Sequence, residues 1–483
     1  MTHSLLETDG YKFSMAEVGF PLRTETFYYA HRKGGPMVLP LDVRAFIGNL
    51  LPTPEPGDYD YLDHHEYEMG AGYRFAMTRE RLPNLKVDAL PKGAIFFPHE
   101  PAFSVTGPSA LVSWLEPLLL QVNYRIQLAT YALSDPARLN LHRVTCEDQE
   151  SIAKETLDAV QIKISMDQDS YYFNVLKTVM ELVKLVEDPS RIFEVGLRSA
   201  TCLNQHLNAL SACRAAGVLK TSNVYGARTL RMEPVGTMGH EHVQRWGSDE
   251  KAFRAMRDRR PHRSSYLLDT FSTISEGIPA AFRVMEEFPE RRDSIRYDSG
   301  DKIKQYRFAV SEARAQGLHP IHIIEDGLDH NLTKTFEEIR KAEGIAPEDQ
   351  YYGYGGFIVA KHDQAHITRD NVAATYKLSR TGPWDTMKFS DDSGKESIPG
   401  RPVVFRRIGT SGPVGIVGQV DEACPEGYRL ETGAATPSLT AEDFPWHSGY
   451  WNFPGSGVTY SKATQEIVRD FKIQVSINVE SKS

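Results

Sequence analysis

Residues 294–329 read SIRYDSGDKIKQYRFAVSEARAQGLHPIHIIEDGLD. Two short apolar runs, at 294–297 and 320–324, flank a helix-period segment over 301–316, and carboxylates follow both runs. Apolar run, helical pattern, apolar run is the order of parallel strands joined by a crossover helix. The same order recurs over residues 174–380. Further runs lie at 192–195, 220–224, 234–237, 266–268 and 351–354, with helical patterns at 240–258, 275–289 and 332–343. Glu194 with Arg198, Asn223, His240, Asp269, Asp298 with Asp301, Asp326, and Gly355 with Gly356 stand at or just past the run ends. Between markers at 194, 223, 237, 269, 298, 326 and 355 the steps are 29, 14, 32, 29, 28 and 29 residues, and most match one β/α unit. A parallel barrel gathers the carboxyl ends of its strands on one face and builds its active site there, whereas an open sheet spreads them along an edge. The 14-residue step leaves little room for a full helix, so the pattern predicts an irregular α/β barrel.

Outside this region the texture differs. Residues 24–32 (TETFYYAHR) are aromatic and strand-like, and 85–106 hold two apolar runs punctuated by Pro91, Gly93, Pro98 and Pro101. Residues 109–133 are apolar and helix-friendly, with Pro117 predicting either one kinked helix or two shorter ones. After about residue 385 come a charged Gly- and Pro-containing stretch, turn-rich segments, a Trp/Gly/Pro region at 445–457 and a polar tail at 480–483. These read as loops and short strands completing the N-terminal layer.

Composition narrows the function classes. Of 483 residues, 41% are hydrophobic and 25% charged, which excludes wholesale disorder and rod-like repeats. A net charge of −9 gives no general basic field, so nucleic acid is not an expected partner. Mean hydropathy is −0.40 and no apolar run reaches membrane-spanning length, so no membrane partner is expected. Cys146, Cys202, Cys213 and Cys424 form no CxxC pair, which argues against a structural zinc site or a redox motif. Sparse cysteine and no secretory signal at the N-terminus lead us to expect a cytoplasmic protein.

Several positions suit chemistry. Residues 295–301 (IRYDSGD) end an apolar run in Asp298 and Asp301, separated by Ser299 and a turn-permitting Gly300. Such a loop suits ribose hydroxyls, a metal ion or an oxocarbenium-like centre; the plainer reading is a helix N-cap. In VGTMGHEHVQRW (235–246), His240 opens a helix just past a strand, where a neutral imidazole can attack phosphorus. The spacing HEHVQ is not the HExxH of zinc proteases. Gly353, Gly355 and Gly356 in YGYGGFIV (352–359) can expose backbone N–H groups to a phosphate, or form only a tight turn. Asp326 at a run end can accept ribose hydroxyls. Tyr11 in TDGYKFSM (8–15) can stack on a flat ligand, and Arg32 can clamp a phosphate.

Taken together, these segments resemble nicotinate phosphoribosyltransferase, of the type II phosphoribosyltransferase fold. The matching stretches are TDGYKFSM at 8–15, ALPKGAIFFPHEP at 89–101, EVGLRSA at 194–200, TSNVYGA at 221–227, PVGTMGHE at 234–241, LLDTFSTI at 267–274, RYDSGD at 296–301 and KFSDDSGKESIPG at 388–400. The resemblance implies an irregular, incompletely closed parallel β/α barrel plus a second α+β domain formed from the N- and C-terminal segments. We expect an N-terminal α+β domain over 1–140, a barrel with the catalytic face over 141–385, and a loop-rich C-terminal segment over 386–483 packing on the N-terminal domain.

The implied reaction joins nicotinate to phosphoribosyl pyrophosphate, giving nicotinate mononucleotide and pyrophosphate in NAD salvage. It is coupled to ATP hydrolysis through a phosphohistidine, with Mg²⁺ as cofactor and a homodimer sharing its active sites. His240 maps to the phosphorylated histidine, with Asp298 and Ser299 near the ribose and its reacting carbon and Asp301 beside them. Asp326 maps to the ribose hydroxyls, Gly355 and Gly356 to the 5′-phosphate loop, and Arg32 and Arg296 to phosphates. Glu194 and Arg198 map to the pyridine end, and Tyr11 to a ring stacking on the pyridine across the subunit interface. The GYGG loop and EDGLD at 325–329 lean toward the sister enzyme that uses nicotinamide. LPKGAIFFPHEP, Glu194 and KFSDDSGKESIPG lean toward nicotinate. A catalytically silent homologue acting as a regulator is the reading from another class.

Overall fold

The computed structural model describes residues 3–78, 85–157, 164–262, 264–392, 394–407, 415–440, 444, 446 and 459–480. Most of 445–457 and all of 481–483 therefore lie outside the described residues, although both carried expectations above.

Seven short strands form one parallel sheet. Across it they run Glu233–Pro234, Lys220–Thr221, Ile192–Glu194, Gln350–Tyr354, Ile321–Ile324, Ser294–Tyr297, Ser265–Leu267. Each strand neighbours the strand before or after it in the chain, and the first pairs with the last, Tyr352 opposite Ile192. The ring is cut once, between Glu233–Pro234 and Ser265–Leu267. This is the expected irregular, incompletely closed barrel. The 14-residue step holds only a seven-residue helix, Val224–Leu230. Between the strands flanking the cut the chain makes two helices, His240–Trp246 and Asp249–Arg259, where the spacing predicts one continuous helical pattern. Gly247 in the left-handed region (φ 77°) and the Ser248 cap divide them.

The crossover helix Lys302–Gln316 shows how the local sequence builds a unit. The Asp301 side chain caps it by accepting from the Lys304 N–H at 3.1 Å, and Gly317 ends it at φ 68°. Tyr306, Ala309, Val310 and Ala313 form its buried stripe at helical spacing. At the amino ends of the strands Arg191 plugs the barrel. It donates to the Gln350 carbonyl at 2.9 Å and the Val186 carbonyl at 2.8 Å, and pairs with buried Glu337. The opposite, carboxyl-end face is left for chemistry.

A five-stranded antiparallel sheet lies beside the barrel, in the order Trp384–Asp385, Thr375–Thr381, Thr24–Ala30, Phe103–Pro108, Lys86–Ala89. The central strand is buried on both faces, which explains its aromatic TETFYYA. Phe27 and Tyr29 join the cluster containing the helices Ser109–Trp114 and Glu116–Ser134, whereas Tyr28 and Ala30 pack on Ile398 and Val417. Pro117, in the first turn of the second helix, accounts for there being two helices. Thr375–Thr381 pairs with Thr24–Ala30, so the chain re-enters this sheet ahead of residue 386. The C-terminal stretch carries a four-stranded sheet of its own, Tyr428–Leu430, Pro402–Arg407, Gly415–Gln419 and Thr459–Tyr460. It meets the N-terminal part through the buried Arg406–Glu100 pair and the Gly433 N–H on the Ala89 carbonyl at 2.7 Å. Among the described residues no helix is long and apolar enough to cross a membrane.

Candidate active site

Two motif segments interlock at the barrel's cut. A Cβ on Gly236 would lie 2.3 Å from backbone atoms of Gly10 and Tyr11, so only glycine lets these segments approach so closely. Tyr11 thereby comes against Gly239, immediately before His240.

His240 is buried at the start of its helix. Lys388 Nζ lies 2.7 Å from its Nε2, and Thr270 Oγ1 lies 3.2 Å from its Nδ1. An ammonium can only donate, so the network assigns the lone pair to Nε2 and the proton to Nδ1, which donates to Thr270. Asp269 Oδ1 and Asp298 Oδ2 lie 3.7 and 3.5 Å from Nε2. Burial pulls the imidazole down to about 4; Asp269 opposes that pull and Lys388 adds to it. The ring is therefore neutral near pH 7. Burial pushes Asp298 up, but its contacts with His240, Arg296 and Lys388 outweigh that and hold the carboxyl well below the usual range. Asp269 ends lowered for the same kind of reason, beside His240 and Lys388. Lys388 Nζ donates to Asp269 Oδ2 at 3.0 Å and Ser299 Oγ donates to the same oxygen, leaving Oδ1 buried without a hydrogen-bond partner.

The loop KFSDDSGKESIPG lies across the strand ends. Besides Lys388, Ser390 Oγ contacts Ser299 Oγ at 3.3 Å, Asp391 accepts from the Thr273 N–H at 3.2 Å, and Asp392 accepts from the Gly300 N–H at 3.2 Å. Gly300 (φ 78°) makes the turn that presents this N–H. Lys395 pairs with Asp326 at 3.1 Å, and its carbonyl accepts from Arg32 Nη2 at 2.8 Å. Arg296 lies 4.0 Å from Asp298 and 3.6 Å from Glu325, with its Nε buried and unbonded. Ser299, Asp298, Arg296, Asp326 and Arg32 are thus gathered around His240 or joined to its surroundings through this loop.

A second group borders the first. Arg198 lies 3.6 Å from both Asp9 and Glu116, with its guanidinium 5.5 Å from the centre of the Tyr11 ring. Tyr11 donates to Glu116 at 2.7 Å, and Lys12 bridges Glu116 and Glu241 at 2.5 and 2.8 Å. Tyr11 and His240 of one chain therefore lie close together. Lys377 lies within electrostatic reach of Glu116, Lys388, Arg32 and Arg198. Burial pulls its ammonium down to about 7, and among the described residues it has no hydrogen bond or ion pair.

Three expected residues stand differently. Glu194 is fully buried and its carboxylate is taken up by the Gly196 N–H at 2.6 Å, His206 at 2.9 Å and Thr221 at 2.8 Å. It holds the turn that carries Arg198 and does not face the site. Asp301 is a helix cap, the plainer of its two readings. Gly356 sits under the Asp370 carboxylate, 1.7 Å from where a Cβ would stand, so an acid covers that glycine. The sequence reading gives no role to Lys388 and Lys12, although both lie in matching stretches, none to Glu116, and leaves Asp269 as a strand-end marker. Asp269 carried a signal in its position at a run end. Lys388 carried only its place at the head of the KFSDDSGKESIPG stretch, since one lysine in a charged loop has no local periodicity to set it apart.

His240, Asp269 and Asp298 offer ligand atoms within 4.8 Å of one another. His240 Nε2 is engaged by Lys388, so the carboxylate oxygens of this group, the orphaned Asp269 Oδ1 and Asp298, suit a hard cation.

No protein-family profile matches the chain. It is 29% identical over 251 residues to nicotinate phosphoribosyltransferase of Bacillus subtilis, covering 50% of this chain and 48% of that one. It is 26% identical over 388 residues to the Bos taurus protein of the same name, covering 77% and 66%. The chain thus spans about half to two thirds of the length of these relatives. The crystal structure of nicotinate phosphoribosyltransferase from Porphyromonas gingivalis matches with a TM-score of 0.59 at 17% identity, over 82% of this chain and 96% of that one. That likeness is one of fold, and it bears out the barrel with its accessory layer. The sequence matches bear out the resemblance carried by the motifs.

Proposed function

We propose that this chain is a nicotinate phosphoribosyltransferase, coupling the transfer to ATP hydrolysis through phosphorylation of His240. The observation that carries the reading is the buried neutral imidazole whose Nε2 lone pair faces Lys388, Asp269 and Asp298. In the transfer, the pyridine nitrogen forms a bond to C1 of phosphoribosyl pyrophosphate as the bond from C1 to the pyrophosphate oxygen breaks. The carboxylate of Asp298 stabilises positive charge on C1. Arg32, Arg198, Arg296, Lys388 and Lys395 supply cations, as a substrate with several phosphates requires. Arg198 beside the Tyr11 ring suits a flat ligand bearing a carboxylate, which favours nicotinate over nicotinamide. Asp269 and Asp298 would hold Mg²⁺, which when bound neutralises charge on the leaving pyrophosphate.

In the coupling step, His240 Nε2 takes the terminal phosphoryl group of ATP, ADP leaves, and water later releases phosphate. The new phosphate brings about 1.5 to 2 negative charges. Lys388, already 2.7 Å from Nε2, is placed to meet them at the expense of its pair with Asp269. Charge around Asp298 is thereby redistributed, which is a physical route from phosphorylation to altered substrate affinity. The homodimer implied by the resemblance belongs to this proposal too.

The test is formation of nicotinate mononucleotide from each pyridine, with and without ATP. We expect nicotinate to be the preferred base and ATP to raise its conversion. His240→Ala should lose ATP hydrolysis and coupling while keeping some uncoupled transfer; intact coupling in that variant refutes the assignment. No product from either base points to the silent regulator instead.

A further inference from the structure

The Sγ atoms of Cys146 and Cys202 lie 3.5 Å apart in the interior. No CxxC spacing announced them, yet both sit in one local frame, TCEDQ at 145–149 and TCLNQ at 201–205. In the first, the Thr145 N–H and Oγ1 donate to Gln149 Oε1 at 2.7 and 2.8 Å. In the second, the Thr201 N–H and Oγ1 donate to Gln205 Oε1 at 2.8 and 2.9 Å. Each cysteine is the extended residue just before a helix, Glu147–Thr156 or Leu203–Ala215. Two helix starts built alike are therefore aimed at each other, sulfur to sulfur. A cavity of about 270 Å³ is lined by both threonines and both glutamines, the residues that frame the pair.

We propose that Cys146 and Cys202 are a reversible dithiol–disulfide couple, oxidised by peroxide-class reagents. A disulfide needs the sulfurs about 2.05 Å apart, so closure is an approach of about 1.5 Å. The hydrogen bond the two thiols share pulls the Cys146 thiol down and, with burial, pushes Cys202 up, so Cys146 attacks first. The Cys146 thiolate takes one peroxide oxygen as the O–O bond breaks, and the departing hydroxide becomes water. Cys202 sulfur then attacks the sulfenic sulfur, the S–S bond forms, and the released hydroxide takes the Cys202 proton. Two thiols and one peroxide thus give one disulfide and two waters.

The bond would pull on the Leu197–Ser199 turn, which ends three residues before Cys202 and carries Arg198. Oxidation is therefore expected to raise KM for nicotinate several-fold; this consequence rests on the function proposed above, whereas the couple itself does not.

The test treats the full chain with excess hydrogen peroxide, then maps tryptic peptides without reduction. Peptides 144–154 and 199–214 should appear joined, with fragmentation placing the bond at Cys202 and not at Cys213. Dithiothreitol should restore both thiols, and Cys146→Ser should lose the cross-link. The couple is overturned if Cys424 is fully modified while Cys146 and Cys202 remain thiols, or if Cys146 goes to sulfinic acid uncrossed. A cross-linked chain with unchanged nicotinate KM overturns the link to the Arg198 turn.

Discussion

Replacing Lys388 with Met removes the cation that adds to burial in keeping His240 neutral, while filling a similar volume. The variant leaves Asp269 and Asp298 without their nearest ammonium, and the nearest group able to replace it is the imidazole, 3.7 and 3.5 Å away. At an effective permittivity of about 20, an ammonium 4 Å from a second cation costs about 4 kcal/mol, and the contact here is closer, 2.7 Å. If solvent and relaxation recover up to half, about 2 to 3 kcal/mol remains. At about 1.4 kcal/mol per pH unit, that carries the imidazole midpoint from about 4 to about 6. Histidine-selective ¹⁵N labelling follows the ring directly between pH 5 and 8, with His240→Ala identifying the signal. The native ring should stay neutral throughout, and the variant ring should titrate within the range. ATP hydrolysis, where it survives, should gain an acid limb at the same pH. A variant midpoint still below pH 5 refutes the argument that Lys388 controls the protonation of His240.

Arg198→Gln removes the cation beside Tyr11 while keeping a polar side chain. We expect KM for nicotinate to rise about 10- to 100-fold, as loss of a charge-assisted contact worth about 1.5 to 3 kcal/mol implies, with a smaller change for nicotinamide. Equal effects on both bases would refute a carboxylate-binding role. The acid side of the stability profile should be set partly by buried histidines. Burial pulls His31 and His322 down to about 3, and His240 and His242 down to about 4. Their folded pKa values lie below the unfolded 6.5, so the unfolded chain binds more protons below pH 6.5. Stability is present above about pH 6.5 and falls as pH drops from there toward 4, by up to about 1.4 kcal/mol per pH unit for each histidine that stays neutral. Urea unfolding at pH 7.5, 6.0 and 5.0 checks this; a flat profile contradicts it.

The strand ends were legible because parallel strands covered on both faces must be short apolar runs, and the side chains that escape packing are those just past them. Hence Asp298, Ser299, His240 and Asp269 could be placed along one face by counting. The direction in which a strand-end side chain points was not legible. Glu194 occupies the same kind of position as Asp298, yet turns inward because His206, Thr221 and the Gly196 N–H saturate it. Asp301 was legible only as two alternatives, and the Lys304 N–H decided for the cap.

Local pattern by itself determined the β/α order, the irregular step and the motif segments, since these depend on neighbours a few residues apart. Tertiary structure alone decided that Lys388 reaches across 119 residues to Asp269, that Tyr11 reaches across 105 to Glu116, and that two cysteines 56 apart meet. Such pairings follow from how the sheet curls and where it stays open. That geometry is set by the packing of the whole core and leaves no periodic trace in the chain.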